Sequence, residues 1–169
     1  MSTTYLIVDE NHDATTHYKA TPADSSSTMI IAKCPSNGTI LANVVYHAIR
    51  SKIDVSFRDH TITLPIKWLT TETTYASDAL QSASLQWRNK TGLKSSVLQC
   101  SNEKGVPLAK ITTPLWHLKN KSDFDFFGEV SADPDVVDEM VATGLAMFYY
   151  VIRRRRNAGL VGAAGGAGA

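Results

Sequence analysis

Near the end of the chain, the run from Asp133 to Arg156 reads DPDVVDEMVATGLAMFYYVIRRRR and carries the signals of both helix termini. Asp133 can accept hydrogen bonds from the free N–H groups of a first turn, and Pro134 suits the first helical position. Asp135, Asp138 and Glu139 put negative charge where the helix dipole is positive. Arg153, Arg154, Arg155 and Arg156 stand at the opposite pole, and Asn157 and Gly159 are expected to end the helix, placing it at about 134–156. Between these ends, Met140 to Ile152 is apolar or aromatic all round, interrupted only by Thr143 and Gly144. A helix with no face for water is buried on every side or sits in lipid. The apolar part spans about 20 Å, against the roughly 30 Å of a bilayer core, so burial within protein is favoured. Its expected core residues are Met140, Val141, Gly144, Leu145, Met147, Phe148, Val151 and Ile152. Thr143 and Gly144 are small enough for a strand or another helix to approach closely, and a strand is favoured.

Everything upstream reads as strands. Thr28 to Lys33 and Thr39 to Tyr46 are β-rich runs joined by Pro35-Ser-Asn-Gly38, whose Asn-Gly pair favours a hairpin turn. Further runs are expected at Tyr5 to Val8, His17 to Lys19, Lys52 to Phe57, Thr61 to Leu64, Ile66 to Leu69, Ser84 to Arg88, Ser96 to Cys100, Pro107 to Thr112 and Phe124 to Ser131. Many short strands without alternating helices point to a sandwich or a barrel. A barrel interior needs filling, and the all-round apolar helix is suited to that place. One domain over residues 1–157 follows, with 158–169 expected as a disordered Gly/Ala tail.

The net charge of +1 argues against a general nucleic-acid binder, which carries a basic excess over a whole face. The N-terminus lacks the basic flank and long apolar core of a secretory signal, so a cytoplasmic location is expected. Cys34 and Cys100 fit no metal spacing and read as buried thiols. The triplets beginning at Asn37, Asn89 and Asn120 read as chance matches to glycosylation acceptors. No nucleophile elbow, phosphate-binding glycine loop or His-Glu-x-x-His pair occurs, and His12, His17, His47, His60 and His117 are scattered. Catalytic residues, metal ligands and cofactors are therefore not expected. Asp123, Asp125 and Glu129 read as solvated strand charges, and Trp68, Trp87 and Trp116 as packing residues.

The arginine cluster is the strongest functional feature. Clustered guanidinium groups bind phosphates in bidentate fashion, and lipid headgroups or inositol phosphates suit a local basic patch on a nearly neutral chain. Lys119 and Lys121 are candidates to extend it, with Lys90 and Lys94 beyond them. Two other readings stand beside this one: neutralising the last helical carbonyls and the dipole, and acting as a nuclear-import signal.

The sequence Phe-Phe-Gly-Glu-Val-Ser-Ala-Asp-Pro at 126–134, the acidic first turn, the hydrophobic helix with a central Thr and the Arg cluster resemble the C-terminal part of an uncharacterised fungal family. That family looks like a branch of the tubby C-terminal-like superfamily, with the phospholipid scramblases and the plant LURP-one-related proteins. Leu85-Gln-Trp-Arg88 and Val106 to Ile111 add weaker matches, and the resemblance covers roughly Thr28 to Arg156. It implies a mainly β fold: a closed antiparallel barrel of about twelve strands around a hydrophobic C-terminal helix. The function expected is that of a non-enzymatic, monomeric binding module recognising anionic membrane lipid. The alternatives are a tail-anchored protein with a cytosolic β domain, opposed by the short span and by Asp138 and Glu139, and an enzyme or ligand-binding barrel.

Overall fold

The computed structural model describes residues 5–8, 17–23, 27–34, 39–67, 69–90, 95–114 and 121–164. The strands are β1 (Tyr5–Val8), β2 (His17–Pro22), β3 (Thr28–Cys34), β4 (Thr39–His47), β5 (Lys52–Ser56) and β6 (Thr61–Lys67). They continue with β7 (Glu72–Ser77), β8 (Ala83–Asn89), β9 (Ser95–Asn102), β10 (Pro107–Pro114) and β11 (Lys121–Phe126). A short 3-10 turn, Gly128–Ala132, leads into α1 (Pro134–Ala164), the single α-helix among the described residues. Strands β2 to β11 form one antiparallel sheet in which each strand pairs with the next in sequence. Strand β1 pairs antiparallel with β2, from Tyr5↔Ala20 to Val8↔His17, and parallel with β11, from Leu6↔Lys121 to Val8↔Asp123.

Alternation places one side of each strand inside. Met29 and Ile31, Ala42 and Val44, Ile53 and Val55, Ile62 and Leu64, Leu85 and Trp87, Leu98 and Cys100, and Ala109 and Ile111 are all buried. Strand β7 escapes a hydrophobicity reading because its inward residues include Thr73, Tyr75 and Ser77, which are buried despite their polar groups. The two runs expected on either side of Pro65 are one strand, β6. Pro65 faces outward, and the next N–H, that of Ile66, donates to the Ser51 carbonyl at 2.8 Å, so hydrogen bonding resumes beyond the proline. The last strand also stops earlier than expected. Gly128 adopts φ +70°, a left-handed conformation that glycine tolerates, and Glu129 therefore lies in the 3-10 turn. The hairpin tip at 35–38 lies outside the described residues.

The helix starts where its cap predicts: Asp133 Oδ1 accepts the Asp135 N–H at 3.0 Å, and the Asp133 carbonyl accepts the Val137 N–H at 3.0 Å. Its end requires a correction. The chain does not leave the helix at Asn157 or become a disordered tail at 158, but continues helically to Ala164. Gly159 and Gly162 each cost about 1 kcal/mol relative to Ala, yet extending an existing helix avoids nucleation, and Ala158, Leu160, Ala163 and Ala164 favour continuation. At 31 residues the helix is about 46 Å long, whereas the nine residues of β4 span about 30 Å.

Residues 140–148 are buried without a break, so the helix is enclosed around its whole circumference. Of the expected helix core, only Ile152 is half-buried. The apolar segment therefore packs on strands, where an anchor would require lipid; among the described residues no helix is long and apolar enough to cross a membrane. Thr143 fixes the helix against the sheet. Its Oγ1 donates to the Glu139 carbonyl at 2.9 Å, accepts the Trp87 Nε1–H at 3.1 Å, and lies 3.2 Å from the Tyr75 hydroxyl. Burial pushes the Tyr75 hydroxyl well above its ordinary pKa, keeping it protonated for this bond.

Candidate functional site

In an antiparallel meander, successive turns alternate between the two ends of the sheet. The turns β4–β5, β6–β7 and β8–β9 share an end with the β2–β3 and β10–β11 connections. The basic part of the helix emerges there: Arg154 Nη1 donates to Thr71 Oγ1, in the β6–β7 turn, at 3.2 Å. Arg153 lies 6.0 Å from the ring centroids of both Tyr46 and Tyr149, within cation–π range. Those rings are 5.6 Å apart, and the Tyr46 hydroxyl donates to the Ala146 carbonyl at 3.0 Å. Arg153, Arg154 and Arg155 are half-buried, with stems lying along protein.

Arg156 is within the helix and Lys121 within β11, but their side chains, together with all of Lys119 and Lys94, lie outside the described residues. Two exposed cations join the same end by topology: Arg50 in the β4–β5 turn and Lys90 after β8. Two carboxylates of the strands that reach this end are engaged. Glu72 meets Lys67 at 3.2 Å and Arg88 at 3.1 Å. Burial works to raise its pKa, but those hydrogen bonds and charges outweigh it and hold the carboxyl below its ordinary value. Asp54 likewise has burial opposing it, and is held low by Lys52, Thr63 and His47.

Sequence reading missed the apolar part of this end. Ile49, in the β4–β5 turn, is 98% exposed, and Leu69, in the β6–β7 turn, is 79% exposed. The strand expected over Ile66 to Leu69 does not reach Leu69, which belongs to a turn because β6 ends at Lys67. The available signal was an isolated aliphatic residue beside a cation, as in Ile49-Arg50, between two alternating strands.

The other candidates are structural. Trp87 is fully buried, while Trp68 and Trp116 lie outside the described residues. Cys34 and Cys100 are free thiols, but only Cys100 is buried as expected, Cys34 being half-buried at the end of β3. Burial, aided by the Glu139 charge, pushes Cys100 up to about 12, leaving it protonated and unreactive. His47 contacts Asp54 at 2.8 Å and His60 contacts Asp59 at 2.7 Å. Among the described residues, no group of three or more His, Cys, Asp or Glu could hold a metal ion. The arrangement at the basic end can bind anionic oxygens and bury aliphatic tips. No family model, curated protein or solved structure matches this chain.

Proposed function

We propose that the chain is a non-enzymatic binding module whose basic end docks on membranes containing anionic lipid, with phosphoinositides as the ligands that best match clustered guanidinium groups. The observation that carries this reading is the meeting of Arg153, Arg154 and Arg155 with the protruding Ile49 and Leu69 at one end of the sheet. Cations draw the protein to an anionic surface, and aliphatic tips gain by leaving water once there. The dipole explanation of the cluster fails, because the helix runs eight residues beyond Arg156 and its last turn holds no basic residue.

The fold side of the proposal is a closed barrel of the eleven described strands. The pairing of β1 with both β2 and β11 supports closure, and strands followed by one enclosed helix support kinship with the tubby C-terminal-like superfamily. The docking reading stands without that kinship.

Flotation with phosphatidylcholine vesicles, with and without a phosphoinositide, tests the assignment. Each cation near the surface contributes about 1 kcal/mol, so replacing all three arginines with Ala should weaken binding about 100-fold. Ile49→Ser with Leu69→Ser should weaken it further while leaving the urea midpoint unchanged. Equal binding by the folded triple-Ala variant overturns the proposal.

A further inference from the structure

The opposite end of the sheet, where the helix begins, contains a cleft of about 500 Å³. That volume falls within the roughly 300–1,000 Å³ of small-molecule sites. Its apolar wall is formed by Ile40, Leu41, Phe57 and Ala79. Five carboxylates line it, Asp59, Asp78, Asp135, Asp138 and Glu139, against the permanent cations Lys33 and Arg58. Lys33 is matched to Asp138 at 2.9 Å, and the Tyr18 hydroxyl donates to the same carboxylate. His60 is held by Asp59 at 2.7 Å. The balance left in the cleft is negative.

Glu139 is the telling residue. It is 3% exposed, yet it lines the cleft together with Ala79, whose backbone N–H donates to Glu139 Oε2 at 2.8 Å. Its other oxygen, Oε1, is buried without a hydrogen-bond partner among the described residues. A buried carboxylate oxygen left unsatisfied is unfavourable, and native structures seldom keep one without a use. The arrangement asks for a donor, the surrounding charge asks for a cation, and the wall asks for an apolar stem.

We propose that this cleft binds a primary alkylammonium group, its N–H donors directed to Glu139 Oε1 and its stem along Phe57, Ile40 and Leu41. This site is independent of the basic end and of the membrane reading.

Calorimetric titration with n-butylammonium chloride at neutral pH tests it, with tetramethylammonium chloride and sodium butyrate as controls. Tetramethylammonium carries the same charge but no N–H donor, and butyrate has the wrong sign. Saturable binding of n-butylammonium is expected, with binding of both controls at least tenfold weaker. Glu139→Gln keeps an oxygen for the Ala79 N–H and removes the charge, so it should weaken binding at least tenfold. Ile40→Lys, at a rim position 55% exposed, introduces a competing ammonium without disturbing the core and should weaken binding even if the Gln variant folds poorly. The variant lacking the three arginines should bind n-butylammonium as the parent protein does, which separates this site from the vesicle result. Absence of saturable binding, equal binding of tetramethylammonium, or undiminished binding by folded Glu139→Gln overturns the proposal.

Discussion

Gly144 is small because Trp87 occupies the place where a side chain would go. A Cβ there would lie 2.8 Å from Trp87 Cζ2 and 2.9 Å from Ile111 Cδ1, both parts of packed side chains. Gly144→Ala would gain about 1 kcal/mol of helix propensity and lose about 1–3 kcal/mol to overpacking. The expected result is net destabilisation of up to about 2 kcal/mol, measured as a lower urea midpoint with an unchanged slope. A stabilised variant would show that the indole can yield. Glu72 gives the molecule an acid-sensitive contact. Its folded pKa lies below the ordinary 4.5, so its contribution is complete above 4.5 and is lost as pH falls through the lowered value. Urea midpoints measured from neutral pH downward should show a steeper acid limb for the parent protein than for Glu72→Gln; parallel limbs would remove Glu72 from that role. At this scale the sequence marks Thr143 and Gly144 as a place of close approach. It does not reveal that the indole belongs to Trp87, since that contact joins residues 56 positions apart.

Among the elements, α1 is the most legible, because its N-cap, acidic first turn and continuous apolar run are local signals. Its end is less so: Asn157 and Gly159 are ordinary stop residues, but an established helix passes through them to Ala164. Strand β7 is illegible for another reason. Thr73 and Ser77 face inward, so the strand lacks the apolar alternation by which its neighbours are recognised. The helix supplies residues 140–148 to the interior without interruption, and its loss would expose the inner faces of the strands around it. Truncation before Asp133 should therefore abolish cooperative thermal unfolding and expose apolar surface to a hydrophobic dye. A truncated chain that retained a sharp transition would contradict the place given to α1.

For the molecule as a whole, the sequence discloses the materials of the basic end but not its completion. Arg153 to Arg156 are contiguous and visible, whereas Ile49, Arg50 and Leu69 join them through the alternation of turns between sheet ends, a property of topology. The cleft at the other end is equally hidden, since it takes Lys33, His60, Asp78 and Glu139 from four separate parts of the chain. The order of the elements has a further consequence during synthesis. All eleven described strands are translated before the helix that packs on them, and at about 5–20 residues per second its 31 residues take the ribosome about 2–6 s. Throughout that interval the nascent hairpins have inward faces and nothing to put between them. Native packing of these strands must therefore await α1, and a ribosome that stalls at Asp133 leaves a chain whose apolar faces are open to chaperones or to one another.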